Sequence, residues 1–91
     1  PLTILVNYKN DAFQPSTIHI AEGTIVKFKN VSAVSLWVAS DPHPTHTNYP
    51  GFDSNAEILP NKSYSFTFTK IGTWGYHNHL SSSQKGTVVV E

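Results

Sequence analysis

Four of the chain's five histidines lie in two close pairs, and these pairs are the residues best suited to chemistry. The first pair is His77-Asn-His79, at the end of an alternating segment that starts at Trp74. On an extended strand, residues two apart point to the same face and lie about 7 Å apart, so both imidazoles can reach one ion. An isolated pair of this kind is also often two solvated histidines on an exposed face.

The second pair, His43-Pro-Thr-His46, lies in a proline-rich segment, residues 41–57. Proline fixes φ and lacks the N–H that a sheet needs, so this segment is predicted to be a long, stiffened loop. Stiffening reduces the entropy that is lost when side chains are fixed around an ion. Loop histidines are also commonly just exposed to solvent. The two pairs together are stronger evidence for metal binding than either pair alone, and His43, His46, His77 and His79 are the candidate ligands.

The residue types that are missing narrow the chemistry of such a site. The chain has no cysteine and no methionine, which excludes disulfides, zinc-thiolate and iron–sulfur sites, and the sulfur ligands of blue copper. Neutral imidazole suits several metals, and a site without sulfur leaves Cu(II) and Zn(II) as the leading candidates. No Gly-x-Ser-x-Gly motif is present, so a serine nucleophile is not expected.

Two carboxylates close to the second pair are candidates for orienting the ligands. Ligating imidazoles usually donate their other N–H outward, and a neutral ligand set leaves the charge of a dication uncompensated, so Asp41 and Asp53 are suited to this role. Either aspartate can equally be a turn residue, since Asp41 precedes a proline and Asp53 lies in a Gly-Phe-Asp-Ser turn. The fifth histidine, His19, alternates with two isoleucines and is predicted to face solvent.

Length and charge limit the number of domains and the class of partner. The 91 residues are enough for a single domain, residues 1–91, and not comfortably for two. Six lysines, no arginine and six acids give zero net charge and no basic stripe, so nucleic acid is not an expected partner. No apolar run is long enough to span a bilayer, and no signal peptide is recognised in this chain.

The histidines must be positioned by strands, because short β-branched runs alternate with turn residues along the whole chain. The run from Ser63 to Thr69 alternates strictly and predicts a strand with one face in water. This spacing predicts an all-β fold, a Greek-key antiparallel β-sandwich or barrel of about seven or eight strands. The other predicted strands cover Thr3 to Val6, Thr17 to Ile20, Thr24 to Lys29, Val34 to Ala39, Thr73 to Asn78 and Gly86 to Val90.

Longer motifs give the chain a family resemblance. The segment Ile18-His-Ile-Ala-Glu-Gly-Thr-Ile-Val-Lys-Phe-Lys-Asn30 and the closing Gly-Thr-Trp-Gly-Tyr-His-Asn-His79 and Lys85-Gly-Thr-Val-Val-Val90 resemble the cupredoxin superfamily, which includes plastocyanin and azurin. The closing part is similar to the Gly-Thr-Tyr-x-Tyr-His-x-His segments of multicopper oxidase domains. The resemblance implies a single cupredoxin-like domain.

The chain departs from blue copper proteins at each ligand position that the resemblance implies. The family's cysteine falls at Asn78, and its middle-strand histidine falls near Ser35 or Leu36. Where the family places its last histidine and its methionine, a predicted loop from Leu80 to Lys85 offers three serines and Gln84.

What the chain shares with the oxidases is the histidine doublet, which in that family binds non-blue coppers at a domain interface. The resemblance therefore leaves open a site shared between chains, in a homo-oligomer. It also places the loop after the middle strand and the last loop at one end of the sandwich, so that His43 and His46 can meet His77 and His79.

The main hypothesis is a copper-binding cupredoxin-like protein with a mononuclear, non-blue site of the type 2 kind, which uses three or four of the paired histidines; Zn(II) is the alternative ion. Holding or delivering copper to a transfer partner, or redox chemistry, are both open at this stage. The alternatives are a zinc or copper enzyme with an open coordination position, and a metal-free interaction module on the same scaffold. The expected location is extracellular, periplasmic or in the cell envelope.

Overall fold

Two four-stranded β-sheets pack face to face in the computed structural model, which describes residues 2–91. One sheet has the strand order β2-β1-β4-β6 and the other β3-β8-β7-β5. Within these residues there is no helix, and so none long and apolar enough to cross a membrane. The strands are β1 Thr3–Lys9, β2 Ala12–Gln14, β3 Thr17–Ile20, β4 Thr24–Asn30, β5 Val38–Ser40, β6 Ser63–Phe68, β7 Gly72–Asn78 and β8 Ser81–Val90.

The predicted β-sandwich of seven or eight strands is confirmed, but its strand pairing is mixed rather than purely antiparallel. Strands β1 and β4 pair in parallel, and so do β3 and β8, while the other four pairs are antiparallel. Alternation along one strand shows which residues face the core, but it carries no information on the direction of the partner strand.

Several strands differ from the sequence prediction in their bounds, and β1, for example, extends to Lys9 rather than ending at Val6. The short strand β2 was not predicted, and the predicted loop from Leu80 to Lys85 is wrong, because β8 begins at Ser81. The predicted strand from Val34 shortens to β5, with Leu36 forming an isolated bridge to Ile58. Serine and lysine do not indicate a strand by composition, so the pairing of β8 with β7 across a tight turn overrides local propensity there.

Alternation in β7 separates the core from the opposite face of its sheet. The Tyr76 ring is fully buried and lies edge-on to Phe28 and Phe13, at centroid distances of 5.1 and 4.8 Å. Such edge-to-face contacts are favourable arrangements for aromatic rings. Because Tyr76 points inward, its neighbour His77 must point to the outer face of the sheet.

The proline-rich segment after β5 is anchored to the body of the domain. Phe52 and Tyr49 are buried, and the Phe52 ring stacks on Phe66 at 5.0 Å. The Ser40 N–H donates to Phe52 O at 2.8 Å, and the Asp41 N–H donates to Gly75 O at 3.0 Å. Residues 52–54 of this segment therefore pair with β5 while Tyr49 and Phe52 lie in the core, and its two histidines lie beside His77 on the outer face.

Candidate metal centre

The four predicted histidines come together on this outer face. One ring nitrogen from each of the four lies within 4.8 Å of the other three. The shortest distances join the two pairs: 3.4 Å from His43 Nδ1 to His77 Nε2, and 3.1 Å from His46 Nε2 to His79 Nδ1. The proline-rich loop thus places His43 and His46 opposite His77 and His79. Strand β7 supplies His77, and the turn after β7 supplies His79.

The ring positions describe a flattened tetrahedron. The two rings within each pair are 6.2 Å apart, whereas rings from different pairs are 4.8 to 5.1 Å apart. A regular tetrahedron has equal edges, and a square has diagonals longer than its sides by the square root of two. The ring centres are therefore arranged between a regular tetrahedron and a square.

His77 is the most enclosed of the four ligands, with no exposed surface. Its Nδ1 lies 2.8 Å from Asp41 Oδ1, so the carboxylate accepts the Nδ1 proton and leaves the Nε2 lone pair directed at the cluster. Burial lowers the pKa of His77, the hydrogen bond to Asp41 partly opposes this, and the net pKa is below its usual value. A lowered pKa keeps the ring neutral, as a metal ligand must be.

His46 is oriented in the same way by the second aspartate. Its Nδ1 lies 2.9 Å from Asp53 Oδ2, which leaves Nε2 for the cluster. The His46 backbone is left-handed, with φ of 55°, a strained conformation that is concentrated at functional sites. Burial by itself would raise the pKa of Asp53, but hydrogen bonds from the Asn55 N–H, Trp37 and His46 bring it below its usual value. Asp53 is therefore ionised and can accept a hydrogen bond from the Nδ1–H of His46.

His79 is held by contacts with Trp37 rather than by a carboxylate. The backbone N–H of His79 donates to Trp37 O at 2.7 Å, and the rings of His79 and Trp37 lie 5.1 Å apart. The indole Nε1–H of Trp37 in turn donates to Asp53 Oδ1 at 2.8 Å. Burial, followed by the nearby His46 and His43, lowers the pKa of His79. Trp37 therefore links one ligand to the carboxylate that orients another, a role that sequence reasoning missed.

The charges of the site match those of a bound dication. Four neutral imidazoles contribute no charge, and Asp41 and Asp53 contribute two negative charges one hydrogen bond away from the ligands. Outer carboxylates of this kind fix the tautomer and raise the basicity of ligating histidines. The residues present thus fit a divalent metal with nitrogen ligands. Both aspartates contact ligands, Asp41 from a bend and Asp53 from an isolated bridge to Ala39.

The fifth histidine is not part of the cluster. His19 is exposed, as predicted, and its Nδ1 lies 2.7 Å from Glu91 Oε1. His19 is therefore a suitable control residue for experiments on the other four.

The positions that the resemblance assigns to blue copper ligands lie on the core side of β7. Asn78 is buried, and its side-chain amide donates to Gln84 Oε1 at 3.0 Å, while Tyr8 donates its hydroxyl proton to the same oxygen. Of the two candidates for the middle-strand position, Leu36 is fully buried and Ser35 is partly buried. A closed hydrogen-bond network and an aliphatic side chain thus occupy this region, and the histidine cluster lies on the opposite side of the strand.

Gly75 allows Asp41 to reach His77. An ideal Cβ at position 75 would overlap Asp41 Oδ2 and lie 3.4 Å from Asp41 Cγ. Gly75 and His77 are two apart on β7 and share one face, so only a residue without a side chain leaves room for the carboxylate between them. Sequence reasoning did not select Gly75, and nothing in its local motif marks this role.

We expect the Gly75→Ala variant to bind metal about 10- to 100-fold more weakly, the usual cost of disturbing a ligand's outer hydrogen bond. The methyl group of the alanine displaces the Asp41 carboxylate, so the proton of His77 is no longer fixed on Nδ1. Titration of the purified variant with Cu(II) measures the loss. In an Asp41→Ala background the same glycine substitution should add little further loss, because the contact it disturbs is already gone. Full additivity of the two losses would contradict this mechanism.

The fold agrees with that of the proteins to which this chain is similar. A family model described as a cupredoxin-like domain matches residues 2–90, and the chain belongs to this family. No match was found among curated proteins.

Several solved structures of amicyanin variants are similar to the chain. A reduced tryptophan-to-tyrosine variant is 25% identical with a TM-score of 0.85, covering 98% of this chain and 82% of that chain. A methionine-to-glutamine variant with Cu(I) is 26% identical, with the same TM-score and coverage.

Proposed function

We propose that this protein binds one Cu(II) ion through His43, His46, His77 and His79, in a non-blue site of the type 2 kind. The observation that carries the proposal is the convergence of one ring nitrogen from each histidine, two of them oriented by carboxylates. His46 and His77 would donate through Nε2, and His43 and His79 through Nδ1. The bound ion would supply a Lewis-acidic, redox-active centre.

Three considerations favour copper over zinc. Nitrogen sites bind Cu(II) more tightly than Zn(II) in the usual order of divalent metals. The flattening of the cluster departs from the tetrahedron of structural zinc sites. One of the similar amicyanin structures contains Cu(I). Zn(II) remains the alternative ion.

The number of ligands favours holding and delivery of copper over catalysis. Catalytic metal sites keep a position open for water or substrate, whereas sites with four protein ligands are typically closed. Here the chain itself offers four nitrogens. We therefore propose a copper-holding or copper-transfer role, in an extracellular, periplasmic or cell-envelope location, with a copper-transfer protein as partner. All four ligands come from one chain, which favours a site within the monomer.

Electron paramagnetic resonance after addition of one equivalent of Cu(II) tests the proposal. We expect one bound ion per chain, a large parallel copper splitting and nitrogen hyperfine structure from imidazole ligands. Visible absorption should be weak, because the chain has no thiolate to give an intense charge-transfer band.

Competition with Zn(II) separates the two candidate metals. If Zn(II) displaces Cu(II) at equal concentration, zinc becomes the better assignment. If neither ion binds at one per chain, the protein is a metal-free interaction module on a cupredoxin scaffold and the proposal is wrong.

A further inference from the structure

The four ligands of the cluster are held unequally. His77 and His46 each donate an Nδ1 proton to a carboxylate, and His79 is fixed by its backbone and by the ring of Trp37. His43 is the exposed member of the cluster. Within residues 2–91 the one side-chain hydrogen bond of His43 is to His77, and at 3.4 Å it is longer than the 3.1 Å contact between His46 and His79.

The buried ligand, His77, is therefore firmly held, and the exposed ligand, His43, is the least firmly held. The site is closed on the protein side, where His77 has no exposed surface, and it meets solvent where His43 lies. A ligand without an outer hydrogen-bond partner is less well oriented and less basic than one with a carboxylate partner. His43 also costs least to move, because its ring loses few buried contacts when it swings into water.

We propose that His43 is an exchangeable ligand, and that copper enters and leaves through the position His43 occupies. This inference rests on the proposed function of the site. The partner it implies is a copper acceptor that presents a nitrogen donor, such as the imidazole of a histidine. His46, His77 and His79 would hold the ion while the fourth ligand changes.

The exchange is a ligand substitution that leaves the oxidation state of the ion unchanged. The incoming nitrogen donates its lone pair to Cu(II) as the bond from His43 Nδ1 breaks. His43 leaves as a neutral imidazole and is solvated at the surface. The ion keeps three ligands from the donor protein until further donors of the acceptor replace them.

His43→Ala and His46→Ala form a matched pair of tests, since both histidines lie in the same loop but only His46 is held by a carboxylate. The probes are Cu(II) alone, and Cu(II) followed by free imidazole. We expect His43→Ala to bind one ion with affinity about 10-fold lower, and imidazole to return its paramagnetic resonance spectrum to that of the wild type. His46→Ala should lose more than about 100-fold in affinity, beyond the range for disturbing an outer partner alone, and imidazole should not restore it.

The proposal is overturned if His43→Ala loses as much affinity as His46→Ala, or if imidazole leaves the spectrum of the His43→Ala complex unchanged. Either result, with normal binding by the wild type, refutes the exchange and leaves the proposed copper site intact. Failure of the wild type to bind Cu(II) refutes both. His19→Ala, which changes an exposed histidine outside the cluster, should bind as the wild type does.

Discussion

Replacing His77 with alanine is expected to lower the affinity for Cu(II) by more than about 100-fold, above the range for loss of an outer partner alone. His77 is the fully buried ligand, and its Nε2 is aimed at the cluster by the hydrogen bond from Nδ1 to Asp41. Its removal takes away one donor and leaves the Asp41 carboxylate without its imidazole. Equilibrium titration against a Cu(II) chelator of known affinity measures the effect.

Two controls separate ligand loss from unfolding. His19→Ala removes a histidine from an exposed site and should leave copper affinity unchanged. His77→Ala is also expected to destabilise the metal-free protein by about 1–3 kcal/mol, because a buried hydrogen-bonded group is lost. If that variant does not fold, His77→Gln retains a polar side chain of similar length for the same titration. A folded variant that binds Cu(II) as tightly as the wild type would exclude His77 as a ligand.

The second large effect expected is on thermal stability. A ligand that binds only the native state stabilises it, by about 2.7 kcal/mol when its free concentration is 100 times its dissociation constant. For a domain of this size, each kcal/mol raises the melting temperature by about 4–8 °C. Saturating Cu(II) should therefore raise the melting temperature by roughly 10–20 °C. Calorimetry or circular dichroism with and without the metal measures this shift.

The shift should be reversed by a chelator and should be absent in His77→Ala. Mg(II) serves as a control for non-specific binding, because it prefers oxygen ligands and should leave the wild type unchanged. An unchanged melting temperature with both Cu(II) and Zn(II) would be the result expected of a metal-free interaction module.

Much of the candidate site could be predicted from the sequence because its ligands occur in local patterns. Alternation from Trp74 to His79 predicted that His77 and His79 share one face, and the prolines between residues 41 and 57 indicated a stiff loop around His43 and His46. The chemistry of imidazole ligation pointed to nearby carboxylates, and Asp41 and Asp53 do hydrogen-bond to His77 and His46. These are properties of short stretches of chain.

Other parts of the site depend on contacts between distant residues. Trp37 contacts both His79 and Asp53, and Gly75 makes room for Asp41, yet each stands in a segment whose own pattern predicts only a strand. Ala39 is fully buried and lies between His77 and Asp53 in the sheet register. No local signal could have identified these three residues, because their roles arise from side chains brought in by other strands.

In the fold, too, local patterns predicted some strands, whereas others depend on contacts between distant parts of the chain. Period-two alternation predicted β6 and β7 well: the aromatic side chains of β6 lie on its less exposed face, and Tyr76 and His77 point to opposite faces of β7. The parallel pairs β1–β4 and β3–β8 connect strands that are not adjacent in the chain, so their direction depends on how the whole chain crosses between the sheets. The first half of β8 is polar, and its pairing with β7 makes it a strand.

The sequence by itself determined which donors are available: four paired histidines, two carboxylates close to them in the chain, and no sulfur ligand. It also determined that these donors are carried by a strand and a stiff loop, since residue types and alternation are local properties. The tertiary structure decided that the two pairs face each other across the outer side of β7, which ring nitrogen of each histidine faces the cluster, and that His43 alone among the four is exposed. Those features depend on distances between residues more than 30 positions apart, which only packing of the loop against the sheet can set.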